Sequence, residues 1–90
     1  MIRVVSHLTL HDKEYPIYVF NNKELQKTIT VKDSKDFATE ILNTYFTYHA
    51  DKIILGGNDL LTYKYEKEIL KENKRFYQFN NLPIERINDN

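Results

Sequence analysis

The chain has 90 residues, no cysteine, and equal numbers of basic and acidic residues, thirteen of each. This length corresponds to one domain with a small core. The lack of cysteine excludes disulfides, thiolate nucleophiles and sulfur-ligated zinc. A zero formal net charge disfavours binding to nucleic acid mainly through phosphates, and no apolar run approaches the roughly 20 residues of a membrane span. Since no secretory pattern opens the chain, we expect a cytoplasmic protein without membrane contact.

Three short strands are predicted in the first third of the chain. Alternating apolar residues indicate strands over 2–10, Tyr15–Phe20 and approximately Gln26–Val31, joined by polar turns. Pro16 cannot donate to a strand ladder, so it is expected at a strand start or facing an edge. Residues that share parity, and are therefore expected on one face of the third strand, are Leu25, Ile29 and Val31. The pattern is typical of an antiparallel meander.

Two helices enclose a fourth strand. Asp33–Asp36 carries the capping and acidic residues of a helix start, and the helical apolar pattern that follows ends near His49. The three consecutive apolar residues of Ile53–Leu55 predict a strand covered on both faces. Asn58 is suited to cap a second helix that runs to about Glu72.

A last strand is predicted over Arg75–Phe79, and the polar tail at 88–90 is expected to be frayed. The predicted order is thus β-β-β-α-β-α-β in a single α/β (α+β) domain over residues 1–87. Its sheet is mixed, with the helices mainly on one face.

Three antiparallel strands followed by α-β-α-β is the order of the ribonuclease H-like fold. The stretch Phe37–Phe79 also resembles the middle domain of archaeal-type peptide release factors and their bacterial relatives. In that family an amphipathic helix leads into a strand like Asp-Lys-Ile-Ile-Leu-Gly-Gly, which starts here at Asp51, and a second helix follows. The resemblance implies an RNA- or ribosome-associated binding domain, with Lys52, Lys64 and Arg75 as candidate RNA-contacting cations.

A hydrolase of ribonuclease H-like fold is a further alternative. Such enzymes bind divalent metal through carboxylates, one of which lies on the first strand. Here the first strand carries no acidic residue, which leaves Glu40 and Asp59 as the only pair near the expected positions. We therefore expect no catalytic residues, no metal site and no cofactor.

The only two glycines, Gly56 and Gly57, stand together before Asn58. Exposed amides at a helix start favour anions, and glycines allow close approach, so these three residues form a candidate anion- or ligand-binding turn. Neither a dinucleotide-binding nor a P-loop pattern is present, and Asp59 would repel a phosphate. The alternative is a purely structural turn.

Aromatic residues give the main functional signal, since seven Tyr and five Phe exceed what a small core can bury. Tyrosine is favoured at recognition surfaces because it combines a large rigid area with a polar tip. The candidate protein-binding residues are Tyr15, Tyr18, Phe20, Tyr48 and Tyr63. Base stacking on such rings is a less favoured alternative, because it usually accompanies a basic groove, and incidental exposure of the tyrosines is the remaining alternative.

These observations predict a small non-enzymatic protein whose partner is another protein. A composition rich in residues with AT-rich codons adds the hypothesis of a viral or mobile-element accessory protein that inhibits a host factor. An edge strand, expected to be the one containing Pro16, offers a further route through homodimerisation.

Overall fold

Five strands form one mixed sheet in the order β3-β2-β1-β4-β5. The computed structural model describes residues 1–11 and 13–88. The strands are β1 (Ile2–Leu8), β2 (Tyr15–Asn21), β3 (Glu24–Val31), β4 (Lys52–Gly57) and β5 (Ile84–Asn88). The helices are α1 (Ser34–Thr47) and α2 (Asp59–Glu72), and α2 continues into a short π-helical segment, Asn73–Tyr77.

The sheet combines an antiparallel meander with a parallel half. β1 pairs antiparallel with β2, and β2 with β3, whereas β1 and β5 both pair parallel with β4. Val4 lies opposite Val19 on one side and Ile53 on the other. The predicted fold class, three antiparallel strands followed by helix-strand-helix-strand in a mixed sheet, is confirmed.

Local sequence signals determine where both helices begin. The Asp33 side chain accepts a hydrogen bond from the Lys35 amide at 2.9 Å, and the Asn58 side chain accepts one from the Leu61 amide at 3.0 Å. Each bond satisfies an amide of the first turn that has no partner within the helix. The two capping predictions are confirmed.

Both helices pack on the same face of the sheet and against each other. The core between the two layers contains the fully buried strand residues Val4, Leu8, Ile17, Ile53 and Leu55. Its largest fully buried helical side chains are Phe37, Ile41, Leu42, Tyr65 and Ile69. Ser6 interrupts the apolar pattern of β1, yet it is fully buried because its hydroxyl donates to the Pro16 carbonyl oxygen at 2.6 Å.

The predicted strand at Arg75–Phe79 is wrong. Residues 75–77 belong to the π-helical segment that continues α2, and this segment ends before Gln78, which has a φ of 54°. The Tyr77 and Phe79 rings contact Phe46 near the end of α1, with the Tyr77 ring stacked on Phe46 at a centroid distance of 4.7 Å. A strand-like composition is thus overridden by packing against a helix.

The fifth strand instead begins at Ile84, and it includes Asn88, the first residue of the predicted frayed tail. The other two tail residues lie outside the described part of the chain. β1 ends at Leu8, two residues earlier than predicted, and α1 ends at Thr47, just before its predicted end.

Two expectations about strand position need correction. β2, which contains Pro16, lies between β3 and β1, so it is not an edge strand. Pro16 is nevertheless near the start of that strand, as expected. Leu25 pairs with Phe20, whereas Ile29 pairs with Ile17, because the register shifts between Val19 and Phe20. This irregularity places Leu25 on the opposite face from Ile29, despite their shared parity.

Candidate protein-binding face

The sheet face opposite the helices is not covered by any described element, and we call it the open face. Because side chains alternate along a strand, the neighbours of the buried core residues point to this face. One row of paired residues crosses it from Leu25 through Phe20 and Arg3 to Lys52. A second row crosses from Thr28 through Tyr18, Val5 and Ile54 to Glu85.

Two aromatic rings occupy the β2 part of the open face. Tyr18 and Phe20 are half-buried, and their ring centroids lie 6.4 Å apart. The Arg3 guanidinium lies 5.5 Å from the centre of the Phe20 ring and donates to the Asn22 carbonyl oxygen at 2.7 Å. The open face therefore presents a pair of rings beside a cation that is held in place.

The margins of the open face combine apolar residues with paired charges. Leu25 and Ile87, on the two edge strands, are each about half exposed. Between them, the Lys52 ammonium lies 2.9 Å from the Glu85 carboxylate. An apolar and aromatic centre with neutralised charges beside it has the composition of a protein interface.

Tyr15 lies on the other face of the sheet, although it belongs to the same strand as Tyr18. Its ring lies 5.5 Å from the rings of both Phe37 and Tyr65, at the border of the core. Burial is the main cause that raises the pKa of Tyr65 to about 12, and hydrogen bonding to Tyr15 contributes. Tyr15 is thus part of the packing under the helices and not of the open face.

The remaining aromatic candidates belong to the helical layer. Tyr48 is the C-terminal cap of α1. Tyr63 is an exposed residue of α2 whose ring lies 5.3 Å from the Arg86 guanidinium and 5.2 Å from the Lys67 ammonium. Of the five predicted aromatic residues, only Tyr18 and Phe20 therefore share the open face.

The two glycines are strand residues, and not the turn that the sequence predicts. Gly57 pairs with Leu8 on one side and with Asn88 on the other, at a φ of 107°. A Cβ atom on Gly57 would lie 2.9 Å from the Leu8 nitrogen and closer still to the Leu8 oxygen. The close approach of β1 explains this glycine, and the Asn58 side chain already accepts from the first turn of α2. The structural explanation thus accounts for both Gly57 and Asn58.

The carboxylates of the hydrolase alternative lie at opposite edges of the sheet. Glu40 lines a cavity beside β3, whereas Asp59 lies 3.6 Å from the Arg86 guanidinium of β5. Within residues 1–11 and 13–88, no group of three or more His, Asp or Glu side chains could hold a metal ion. The carboxylate pair that this alternative requires is therefore not formed by Glu40 and Asp59.

The cations of the RNA-binding alternative are similarly dispersed. Lys52 is paired with Glu85 on the open face, Lys64 lies over the Tyr65 ring on α2, and Arg75 lies over the Phe76 ring. These three residues occupy different elements and do not form one basic patch.

Sequence reasoning missed two members of the open face and two exposed rings that follow α2. Arg3 could have been found from its parity with Val5, whereas the position of Leu25 depends on the register shift in the β2–β3 pair. Phe76 and Phe79 are 64% and 45% exposed. The sequence pattern predicts a strand here, so it does not indicate the position of these two rings after α2.

In the described residues, no helix is long and apolar enough to cross a membrane.

No protein-family model matches the chain, and no curated protein matches it either. Among solved structures, the chain is similar to Pelota of Archaeoglobus fulgidus, with a TM-score of 0.56 and 12% sequence identity. The similarity covers 96% of this chain and 26% of the Pelota chain, so this chain spans about a quarter of that protein's length. At this identity the similarity shows the fold alone. The predicted resemblance to archaeal-type peptide release factors is therefore supported in part, at the level of the fold.

Proposed function

We propose that this chain is a non-enzymatic protein-binding protein and that its binding surface is the open face. The observation that carries the proposal is an uncovered sheet face with two neighbouring aromatic rings, Tyr18 and Phe20, beside a fixed guanidinium. Aromatic and Arg side chains are enriched in interface cores and among the residues that dominate binding energy.

The geometry of the open face lowers the entropic cost of binding. Tyr18 and Phe20 are already half-buried on a strand inside the sheet, and the two hydrogen bonds between Asn22 and Met1 limit the movement of the adjoining turn. Ordering of a free side chain on association costs about 0.5–1.5 kcal/mol, so side chains that are already restricted retain more of their contact energy.

The open face also favours a protein over RNA as the partner. Its charged residues include Lys52 and Glu85, which neutralise each other, and Arg3, which lies against the Phe20 ring. A phosphate backbone requires several unpaired cations along its path. RNA or ribosome association remains the second hypothesis, and the experiment below distinguishes it.

The test is affinity capture from cell lysate with and without nuclease, read by quantitative mass spectrometry. It compares the wild type with the double variant Tyr18→Thr/Phe20→Thr, in which threonine preserves the preference for a strand. Tyr63→Ala is the matched control, because it removes an exposed tyrosine from the helical layer. Circular dichroism confirms that each variant is folded.

We expect a stoichiometric protein partner that survives nuclease, is retained by Tyr63→Ala and is lost by the double variant. Equal capture by the double variant and the wild type would refute the proposed surface. Capture that disappears with nuclease would support the RNA hypothesis. Loss of the partner's activity on binding would extend the proposal to an accessory protein that inhibits its target.

Homodimerisation is a separate proposal that concerns β3. This strand is an edge of the sheet, and six of its eight residues are exposed. Edge strands offer unpaired backbone groups to another chain. Light scattering across a range of protein concentrations tests it, and a mass that stays monomeric throughout would contradict it.

A further inference from the structure

A groove lies between α1 and the π-helical segment, on the side of the molecule opposite the open face. It is lined by Thr39 of α1 and by Glu72, Phe76 and Tyr77, and its volume is about 450 Å³. We call it the aromatic groove. Its volume lies within the range of ligand pockets, and it is large enough for bulky apolar side chains.

The aromatic groove is built by a segment that is held at both ends. The side chain of Asn73, which is buried, donates to the Phe79 carbonyl oxygen at 2.8 Å and accepts from the Phe79 amide at 3.2 Å. On the other side, the Tyr77 hydroxyl donates to the Asn43 side chain, and the Tyr77 ring stacks on Phe46. The segment thus presents Phe76 in a fixed frame, although 64% of that side chain is exposed.

Cations outnumber carboxylates in the cavity beside this groove, in a chain with no net charge. The adjoining cavity, which shares Glu72 with the groove, is lined by three cations, Lys35, Lys71 and Arg75, and by one further carboxylate, Glu68. The stretch 73–84 contains Lys74 and Arg75 and no acidic residue. Exposed apolar rings beside an excess of cations are complementary to a partner that carries apolar and acidic side chains together.

We propose that the aromatic groove binds an acidic peptide segment of a partner protein through a large apolar side chain. The apolar side chain inserts between Thr39 and the rings of Phe76 and Tyr77. Carboxylates beside it in the peptide contact the cations at the rim, among them Lys71 and Arg75. The groove is therefore a second binding site, independent of the open face, and a chain with both sites can connect two partners.

The contacts of the rings favour a peptide over a stacked nucleobase. One face of the Tyr77 ring is covered by Phe46, and the Arg75 guanidinium lies 5.1 Å from the centre of the Phe76 ring. Base stacking requires accessible ring faces. The Glu72 carboxylate lines the groove itself, so the peptide places its apolar side chain there and its own carboxylates at the rim.

The test measures fluorescence anisotropy with a short fluorescein-labelled peptide that is rich in Glu and carries two Leu residues one helical turn apart. A second peptide with Ser in place of both Leu residues is the matched probe. The protein variants are Phe76→Ala for the apolar contact and Lys74→Glu/Arg75→Glu for the charges. Tyr18→Thr/Phe20→Thr, on the open face, is the control variant.

We expect the Leu peptide to bind, the Ser peptide to bind at least about tenfold more weakly, and each groove variant to lose about tenfold in affinity. The open-face variant should bind as the wild type does, whatever the outcome of the capture experiment. Equal affinity for the two peptides, no binding of the Leu peptide, or binding that is unchanged by Phe76→Ala would overturn the proposal. Preferential binding of labelled oligouridylate to the groove would overturn it in favour of a nucleic-acid site.

Discussion

Substitution of Gly57 by alanine should destabilise the protein strongly, whereas the same substitution at Gly56 should not. Gly57 has a φ of 107°, which side chains rarely adopt, and its Cβ would lie 2.9 Å from the Leu8 nitrogen and 3.0 Å from the Leu8 carbonyl carbon. The nearest atom to a Cβ on Gly56, the Ile87 carbonyl oxygen, is 3.5 Å away, which is ordinary van der Waals contact. The two neighbouring glycines therefore form a matched pair.

The expected magnitude follows from these two causes. A strained backbone conformation costs about 1–3 kcal/mol, and overpacking against atoms that cannot move costs about 1–3 kcal/mol more. The sum, about 2–6 kcal/mol, is a large share of the roughly 5–13 kcal/mol that a chain of this size has in total. For Gly56→Ala we expect a change within about 1 kcal/mol, since removing a glycine also restricts the unfolded chain.

Urea denaturation followed by circular dichroism measures both free energies of unfolding. The account predicts a much lower midpoint for Gly57→Ala at an unchanged denaturant slope, or a variant that does not fold. A free energy of unfolding for Gly57→Ala within about 0.5 kcal/mol of that of Gly56→Ala would refute the reasoning. It would also mean that Gly57 is not required by the close approach of β1.

Two further predictions concern the helix cap and the buried tyrosine. Asn58→Ala should lower the free energy of unfolding by about 1 kcal/mol, because the Leu61 amide loses its acceptor. Asn58→Asp should retain most of that stability, because aspartate also supplies an acceptor. Equal denaturation midpoints for the two variants would contradict the assignment of Asn58 as the helix cap. Because the pKa of Tyr65 is raised from 10.0 to about 12 in the folded chain, the unfolded chain ionises first. Stability should therefore be fully present below pH 10 and fall by up to about 1.4 kcal/mol per unit between about pH 10 and 12. Denaturation midpoints across that range should fall less steeply for Tyr65→Phe, and parallel curves for the two proteins would refute the assignment.

Features set by short-range interactions could be predicted from the sequence. The caps at Asp33 and Asn58 act within one turn of their helices, and the apolar spacing of α1 and α2 reports directly which faces are buried. The alternation in β2 places Ile17 and Val19 on the buried face of the sheet. It therefore predicts that Tyr18 and Phe20 lie together on the other face.

Features that depend on long-range packing could not be predicted. Nothing local shows that Tyr77 stacks on Phe46, so the aromatic residues after α2 resembled a strand. Leu25 shares parity with Ile29 but lies on the opposite face, because the pairing of β2 with β3 is irregular between these two residues. Similarly, Tyr63 could be placed relative to Arg86 only once β5 was known to lie beside α2.

The most direct test of the central claim is site-specific photo-cross-linking from the open face. Benzoylphenylalanine in place of Tyr18 preserves an aromatic residue at the centre of the face, and the same replacement at Tyr63 gives a control in the helical layer. After irradiation in lysate and nuclease treatment, the account predicts a discrete protein adduct from position 18 that is absent from position 63. No adduct from position 18, or the same adducts from both positions, would contradict the claim that the open face binds a protein partner.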